Sequence, residues 1–221
     1  MLTLYIGNKN YSSWSMRPWV AMTAFGIDFR ERQMLLDTPE FAAQAGALSA
    51  VARVPVLVDD DLTVWDSLAI GEYLAERFPQ HALWPRDRVA RARARSLCAS
   101  MHSGFGVLRA SMVMNIEAEL PGRGWNLDVQ HDIDQILALW QDALRSGGAF
   151  LFGDFGLADA FYAPVCMRFR TYRPELPDWA WRYVDAVAAH SAVAAWAAQA
   201  RAERIYLPAD EPYRTRAQAG Y

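Results

Sequence analysis

Cysteine, lysine and long apolar runs are all scarce in this chain of 221 residues, and each scarcity removes a class of function. Cys98 and Cys166 are the only cysteines. They stand too far apart for a Cys-x-x-Cys redox motif and are too few for a disulfide framework. Both lie in apolar stretches with helical spacing, so they are expected to be small buried hydrophobes, which suits a reducing, cytoplasmic setting. His81, His102, His131 and His190 show no ligand spacing with cysteines or acids, and no metal site is expected. No apolar run approaches the roughly 18–20 residues of a membrane span. The start, Met1-Leu2-Thr3-Leu4-Tyr5-Ile6, has neither a basic segment nor a long apolar one, so it reads as a first strand and not as a secretory leader. A net charge of −3 offers nucleic acid no general attraction. Lys9 is the only lysine, and several of the arginines crowd between Arg86 and Arg95, where they read as a solvated helix face.

Hydrophobic residues at 53% and charged residues at 21% describe a folded globular chain with ample material for a core. Its two halves differ in texture. The first alternates: strand 2–6, helix 16–26, strand 28–36, a short helix near 39–47, strand 54–58, strand 62–65 and helix 67–78. Gly26 is placed to end the first helix, and Asp59-Asp60-Asp61 reads as a hairpin connection. This order resembles the thioredoxin-like unit, in which the first two strands pair in parallel. After Pro79 the strand signals stop, and 79–85 reads as a linker. Asp87 is expected to cap a long helix in which Leu97, Met101, Phe105, Leu108 and Met112 recur at steps of three and four. A helix carrying Val129, Ile133, Ile136, Trp140 and Leu144 follows, then helices at 157–172, 178–189 and 191–203. The fold class expected is an α/β thioredoxin-like N-terminal domain, residues 1–80, and an all-α C-terminal domain, residues 87–221.

The chemistry concentrates in the first half. Arg53-Val54-Pro55-Val56-Leu57-Val58 is a β-branched strand interrupted by a proline, which removes a ladder donor. A few residues on, Asp66-Ser67 opens a helix. An acid and a hydroxyl at a helix N-terminus, beside a strand bent by proline, can hold a small zwitterionic peptide.

That arrangement resembles the glutathione site of the cytosolic glutathione transferases, and the two-part layout resembles their architecture over nearly the whole chain. The resemblance implies a cis Val54–Pro55 bond, with the Val54 backbone pairing with the cysteinyl unit of glutathione. It also implies that Asp66 accepts the γ-glutamyl ammonium, that Ser67 donates to the γ-glutamyl carboxylate, and that Arg53 reaches toward the glycyl carboxylate. The run Ser12-Ser13-Trp14-Ser15-Met16-Arg17 resembles the zeta-class Ser-Ser-Cys-x-x-Arg segment. On that match Ser12 is the hydroxyl that stabilises the thiolate, Ser13 is its alternate, and Arg17 is the motif arginine. Trp14 stands where the motif has cysteine, which excludes cysteine-based thiol transfer. Tyr11 is a further hydroxyl beside the pair. Gly156-Leu157-Ala158-Asp159 resembles the family's helix-capping box with glycine in place of the hydroxyl residue.

A second substrate is expected between the first loop and the long helix, near Tyr11, Trp14, His102, Arg109 and Met112. There His102 and Arg109 leave room for an acidic electrophile. The implied function is glutathione transfer to a small electrophile, or isomerisation by reversible addition, with glutathione as co-substrate. A homodimer is implied, with the arginine-rich helix start and the end of the first domain as contact surfaces. Neither nucleic acid nor membrane is expected as a partner. The rival reading is a non-catalytic transferase fold acting as a binding or regulatory module.

Overall fold

A computed structural model describes residues 1–221. The first half contains β1 (Leu2–Ile6), α1 (Ser13–Ala24), β2 (Arg30–Gln33), α2 (Pro39–Leu48), β3 (Val56–Asp59), β4 (Leu62–Trp65) and α3 (Ser67–Arg77). The four strands form one sheet in the order β2-β1-β3-β4. As expected, β1 and β2 pair in parallel, while β3 is antiparallel to both β1 and β4. The second strand is shorter than its apolar pattern suggests. Its partner β1 offers pairing only from Thr3 opposite Arg30 to Ile6 opposite Gln33, after which the chain turns away at Gly7. The first helix begins at Ser13, three residues earlier than its apolar spacing indicates, because Ser12 is its N-cap.

Pro55 lies just before β3 and not within it. A residue without an N–H has nothing to add to a ladder, so the strand starts at Val56. The Val54–Pro55 bond is cis. Gly26 adopts φ +64° after α1, where the N–H of Gly26 reaches the Thr23 carbonyl and that of Ile27 reaches the Met22 carbonyl. Those two bonds make a Schellman ending, which favours glycine for its left-handed backbone.

The second half is helical: α4 (Arg88–Ser103), α5 (Gly106–Ser111), α6 (Leu127–Ala143), α7 (Leu157–Tyr172), α8 (Asp178–Ala189) and α9 (Ser191–Glu203). No helix is long and apolar enough to cross a membrane. The Asp87 side chain caps α4 through the Ala90 N–H at 2.8 Å. The apolar run from Leu97 to Met112 is carried by two helices, not one. At Gly104 a β-carbon would stand 2.7 Å from the Ser100 carbonyl oxygen, and Phe105 then takes a left-handed φ of 55°. That break changes the phase of everything after it.

The centre of the molecule is α7, whose residues are all buried except Arg170. A helix apolar on every side must be surrounded, and α1, α4 and α8 pack against it. Asp159 holds its start: one carboxylate oxygen accepts from the Gly156 N–H at 2.9 Å, the other from the Leu151 N–H at 2.9 Å and the Tyr183 hydroxyl at 3.1 Å. Burial pushes the pKa of Asp159 up to about 7 against those donors. Cys98 and Cys166 are fully buried, and burial raises both thiols. One continuous apolar core runs from Leu4 and Ile6 in the sheet to Trp140 and Phe161 among the helices, so the two halves share one core.

Candidate active site

The loop from Gly7 to Ser12 connects β1 to α1 and is buried throughout. Its polar groups are satisfied mostly by the helical half. The Trp196 indole donates to the Lys9 carbonyl at 3.0 Å, the Asn10 side chain donates to Asn115 at 2.9 Å, and the Glu203 carboxylate accepts from the Lys9 and Asn10 backbones. The single lysine is structural: its ammonium sits 2.7 Å from Glu31, bonds to Gln199, and lies over the Trp19 ring.

This anchored loop delivers the serines. Ser12 accepts weakly from the Ser15 N–H at 3.4 Å and bonds to the Ser15 hydroxyl at 2.7 Å. Ser15 in turn accepts from the Gly7 N–H at 3.0 Å, so the Ser12 hydroxyl is turned into the loop. Ser13, the first residue of α1, accepts from the Arg168 guanidinium at 3.4 Å, and no protein acceptor takes its proton. The Tyr11 hydroxyl is bonded to Glu211 at 2.7 Å in the C-terminal tail, and burial with that carboxylate raises its pKa. Tyr11 therefore belongs to the tail contact.

Two cavities meet here. The smaller, about 350 Å³, is lined by Val51, Arg53, Val54, Pro55, Trp65, Asp66, Ser67, Trp14 and His102. Asp66 caps α3: one carboxylate oxygen accepts from Leu68 and Ala69, and the other lies 2.6 Å from His102 Nε2. Burial opposes its ionisation, but these bonds outweigh burial and hold its pKa below the ordinary carboxylate range. The Ser67 hydroxyl is buried beside it and accepts from Arg17 Nη1 at 3.4 Å. Arg17 has no exposure; its guanidinium lies over Trp14 at 4.1 Å and Phe161 at 5.0 Å, and burial lowers its pKa to about 9.

The larger cavity, about 550 Å³, includes Tyr11, Ser12, Ser13, Trp14, Arg53 and Val54 in its lining and continues over Arg109, Val113, Met114, Arg168 and Asp210. Trp14, Arg53 and Val54 line both cavities. Trp14 is the partition: Arg17 lies against its ring, Arg109 lies 5.2 Å from it, and His102 meets it edge-on at 5.3 Å.

The family models for the glutathione S-transferase N-terminal and C-terminal domains match residues 11–77 and 116–199. A maleylacetoacetate isomerase of Pseudomonas aeruginosa is 32% identical over 203 residues, which span 86% of this chain and 93% of that protein. The chain belongs to the glutathione S-transferase family. A glutathione S-transferase of Dianthus caryophyllus is 32% identical over 171 residues, covering 74% of this chain and 75% of its own. A Burkholderia glutathione transferase homologue with bound glutathione superposes with a TM-score of 0.71 at 28% identity, covering 91% of this chain and 98% of that one.

In this transferase two residues expected in the second-substrate site lie elsewhere. Met112 is fully buried and lines neither cavity; its carbonyl accepts from Arg168 at 2.7 Å. The break at Gly104 rotates it into the core, and Met114 faces the cavity instead. His102 lines the smaller cavity against Asp66 and does not pair with Arg109 on a common helix. Two charged cavity residues, Arg168 and Asp210, escape the sequence reading. A visible signal for Arg168 is an arginine inside an otherwise apolar helical stripe; Asp210 sits in a tail with no periodicity, which gives no signal.

Proposed function

We propose that this transferase binds glutathione in the smaller cavity and presents its sulfur, beside Val54 and Ser13, to an electrophile in the larger one. The observation that carries this reading is the continuity of the two cavities at Trp14, Arg53 and Val54. Asp66, held anionic by its partners, takes the γ-glutamyl ammonium. The Ser67 hydroxyl, whose lone pair is already occupied by Arg17, gives its proton to the γ-glutamyl carboxylate. Arg53, exposed at the mouth of both cavities, takes the glycyl carboxylate. Val54 stands outside the β-ladder, which leaves its backbone available to the cysteinyl unit.

The chemical task is to ionise a thiol whose free pKa is about 8.5. Lowering it by about two units takes about 2.7 kcal/mol of selective thiolate stabilisation. A hydroxyl at the start of α1 with its proton unclaimed supplies part of this, and the helix N-terminus adds to it. Ser13 meets that description better than Ser12, whose hydroxyl is engaged by Ser15. Arg109 on the cavity wall suits an electrophile bearing a carboxylate.

A second reading, isomerisation by reversible addition of glutathione, is favoured by the match to the Pseudomonas isomerase over almost its whole length. Assembly as a homodimer belongs to this proposal, with exposed Val89 at the arginine-rich start of α4.

The test is isothermal calorimetry with glutathione, then assay of a panel of model electrophiles with and without glutathione. Binding together with glutathione-dependent turnover supports transferase chemistry. Binding without turnover of any electrophile selects the non-catalytic module, and no binding overturns the site.

A further inference from the structure

The Arg168 guanidinium is a buried charge in the middle of the molecule, attracted by the Asp210 carboxylate but not paired with it. It is 4% exposed, and no carboxylate lies within 4 Å of it. Burial lowers its pKa to about 10, so it stays protonated at neutral pH. A buried cation without an ion pair is costly, and two backbone carbonyls offset part of that cost. Nε donates to the Met112 carbonyl at 2.7 Å and Nη1 to that of Pro164 at 3.4 Å. Those contacts fix the plane of the fork and aim Nη2 at Ser13 Oγ, 3.4 Å away at the wall of the larger cavity. A hydroxyl has one proton and two acceptor lone pairs. A donor behind the oxygen turns the proton forward, here into the cavity.

We propose that Arg168 is a positioning residue for thiolate formation: it reaches across from the helical half, orients the Ser13 hydroxyl toward the glutathione sulfur, and supplies the buried positive charge that the thiolate neutralises. This rests on the glutathione reading above and assigns a role within it. The thiol proton leaves to water, the Ser13 proton stays on its oxygen, and no bond to Arg168 forms or breaks. The long 3.4 Å contact is of the kind that tightens once a ligand is seated. Other charged or titratable groups facing this point are Arg109 from α5, Arg17 from α1, Tyr172 on α7, Asp210 and Tyr11 at the tail contact, and Arg53 at the mouth. A pH effect is therefore assigned to Arg168 only by comparing variants.

The experiment follows the ultraviolet thiolate absorbance of bound glutathione against pH. It uses the wild type, Arg168→Gln, Arg168→Lys, Ser13→Ala, Ser12→Ala and the double variant Arg168→Gln/Ser13→Ala. Arg168→Gln is expected to raise the thiol pKa by about one unit, a tenfold loss of thiolate. Arg168→Lys should raise it less, and glutathione affinity should change little in either. Most of the Arg168→Gln shift should vanish in the Ser13→Ala background. An unmoved curve in a folded, glutathione-binding Arg168→Gln protein overturns the proposal, and so does an undiminished shift without Ser13. If both Arg168 variants fail to fold, the serines decide. Of the two serines Arg168 touches only Ser13, so Ser13→Ala must move the curve more than Ser12→Ala, and the reverse order overturns the proposal. A wild type that binds glutathione without lowering its thiol pKa sinks the reading of the site itself, and that result is seen before any variant is made.

Discussion

Each cavity has a serine backed by a buried arginine, yet the two pairs are built differently. Behind Ser67, Arg17 is sealed between the faces of Trp14 and Phe161, and its Nε and Nη2 meet no acceptor. Behind Ser13, Arg168 is cradled by two carbonyls and lines the cavity. Aromatic faces stabilise a cation without consuming its donors, whereas carbonyls consume donors and fix direction. Arg17 thus lies out of a ligand's reach and meets the smaller cavity through Ser67 and the Trp14 ring. Arg168 has a fixed heading and a charge that a ligand can feel. On the proposed function the smaller cavity serves recognition and the larger reactivity.

That contrast breaks most easily at Asp66. Asp66→Ala removes the anion and leaves the Leu68 and Ala69 N–H groups and His102 without their partner. A lost charged hydrogen bond is worth about 1.5–3 kcal/mol, so calorimetry should show glutathione binding weakened toward the upper end of about tenfold to 100-fold, and the lost cap lowers stability by about 1 kcal/mol as well. Next comes Ser67→Ala, with an expected loss of about tenfold to 100-fold in affinity and a lower melting temperature, because buried Arg17 loses its one hydrogen-bond partner. If it instead leaves affinity intact and raises the thiol pKa, the division of labour between the two serines is wrong.

The larger cavity should answer to a different readout. Arg109→Gln is expected to raise KM several-fold for a carboxylate-bearing electrophile and to leave a neutral one unchanged, with glutathione KM unaffected. Equal effects on both electrophiles would remove Arg109 from the subsite. The smallest effect concerns pH. Burial, aided by Asp37, pushes the Asp210 carboxyl up to about 6 although Arg168 opposes this. Asp210 is neutral below that value and anionic above it, so affinity for an anionic electrophile should fall as pH rises through about 6. Asp210→Asn is neutral throughout and should flatten that part of the profile; an identical profile in the variant would clear Asp210 of any part.

The smaller cavity was legible in the sequence because most of it is local. Val54, Pro55, Asp66 and Ser67 lie within fourteen consecutive positions, and each carries a residue type with one strong backbone habit. The helices at 157–172, 178–189 and 191–203 were legible for a similar reason, since Gly156, Pro177 and His190 sit at their N-caps beside clear apolar spacing. The larger cavity was not, because it is assembled from segments over 190 residues apart, from Tyr11 to Asp210. Its misplaced member, Met112, follows from a single phase error. The helical spacing through Leu97 and Met101 continues numerically to Leu108 and Met112, but Phe105 breaks the geometry with a backbone that spacing does not encode. Arg168 hid in the opposite way, as a charge inside a stripe whose other members are core.

The C-terminal tail gives the site a place in time. Glu211 binds Tyr11 in the first loop, Arg214 binds both Glu211 and Glu117, Tyr221 binds Glu117, and Tyr213 binds the Ser111 carbonyl. A chain emerging from the ribosome has made every residue that lines the smaller cavity once His102 is out. The lining of the larger cavity still lacks Arg168 and Asp210. Since the first loop is held by Trp196 and Glu203 and Arg17 is covered by Phe161, neither cavity takes its shape until the helical half has packed against the sheet.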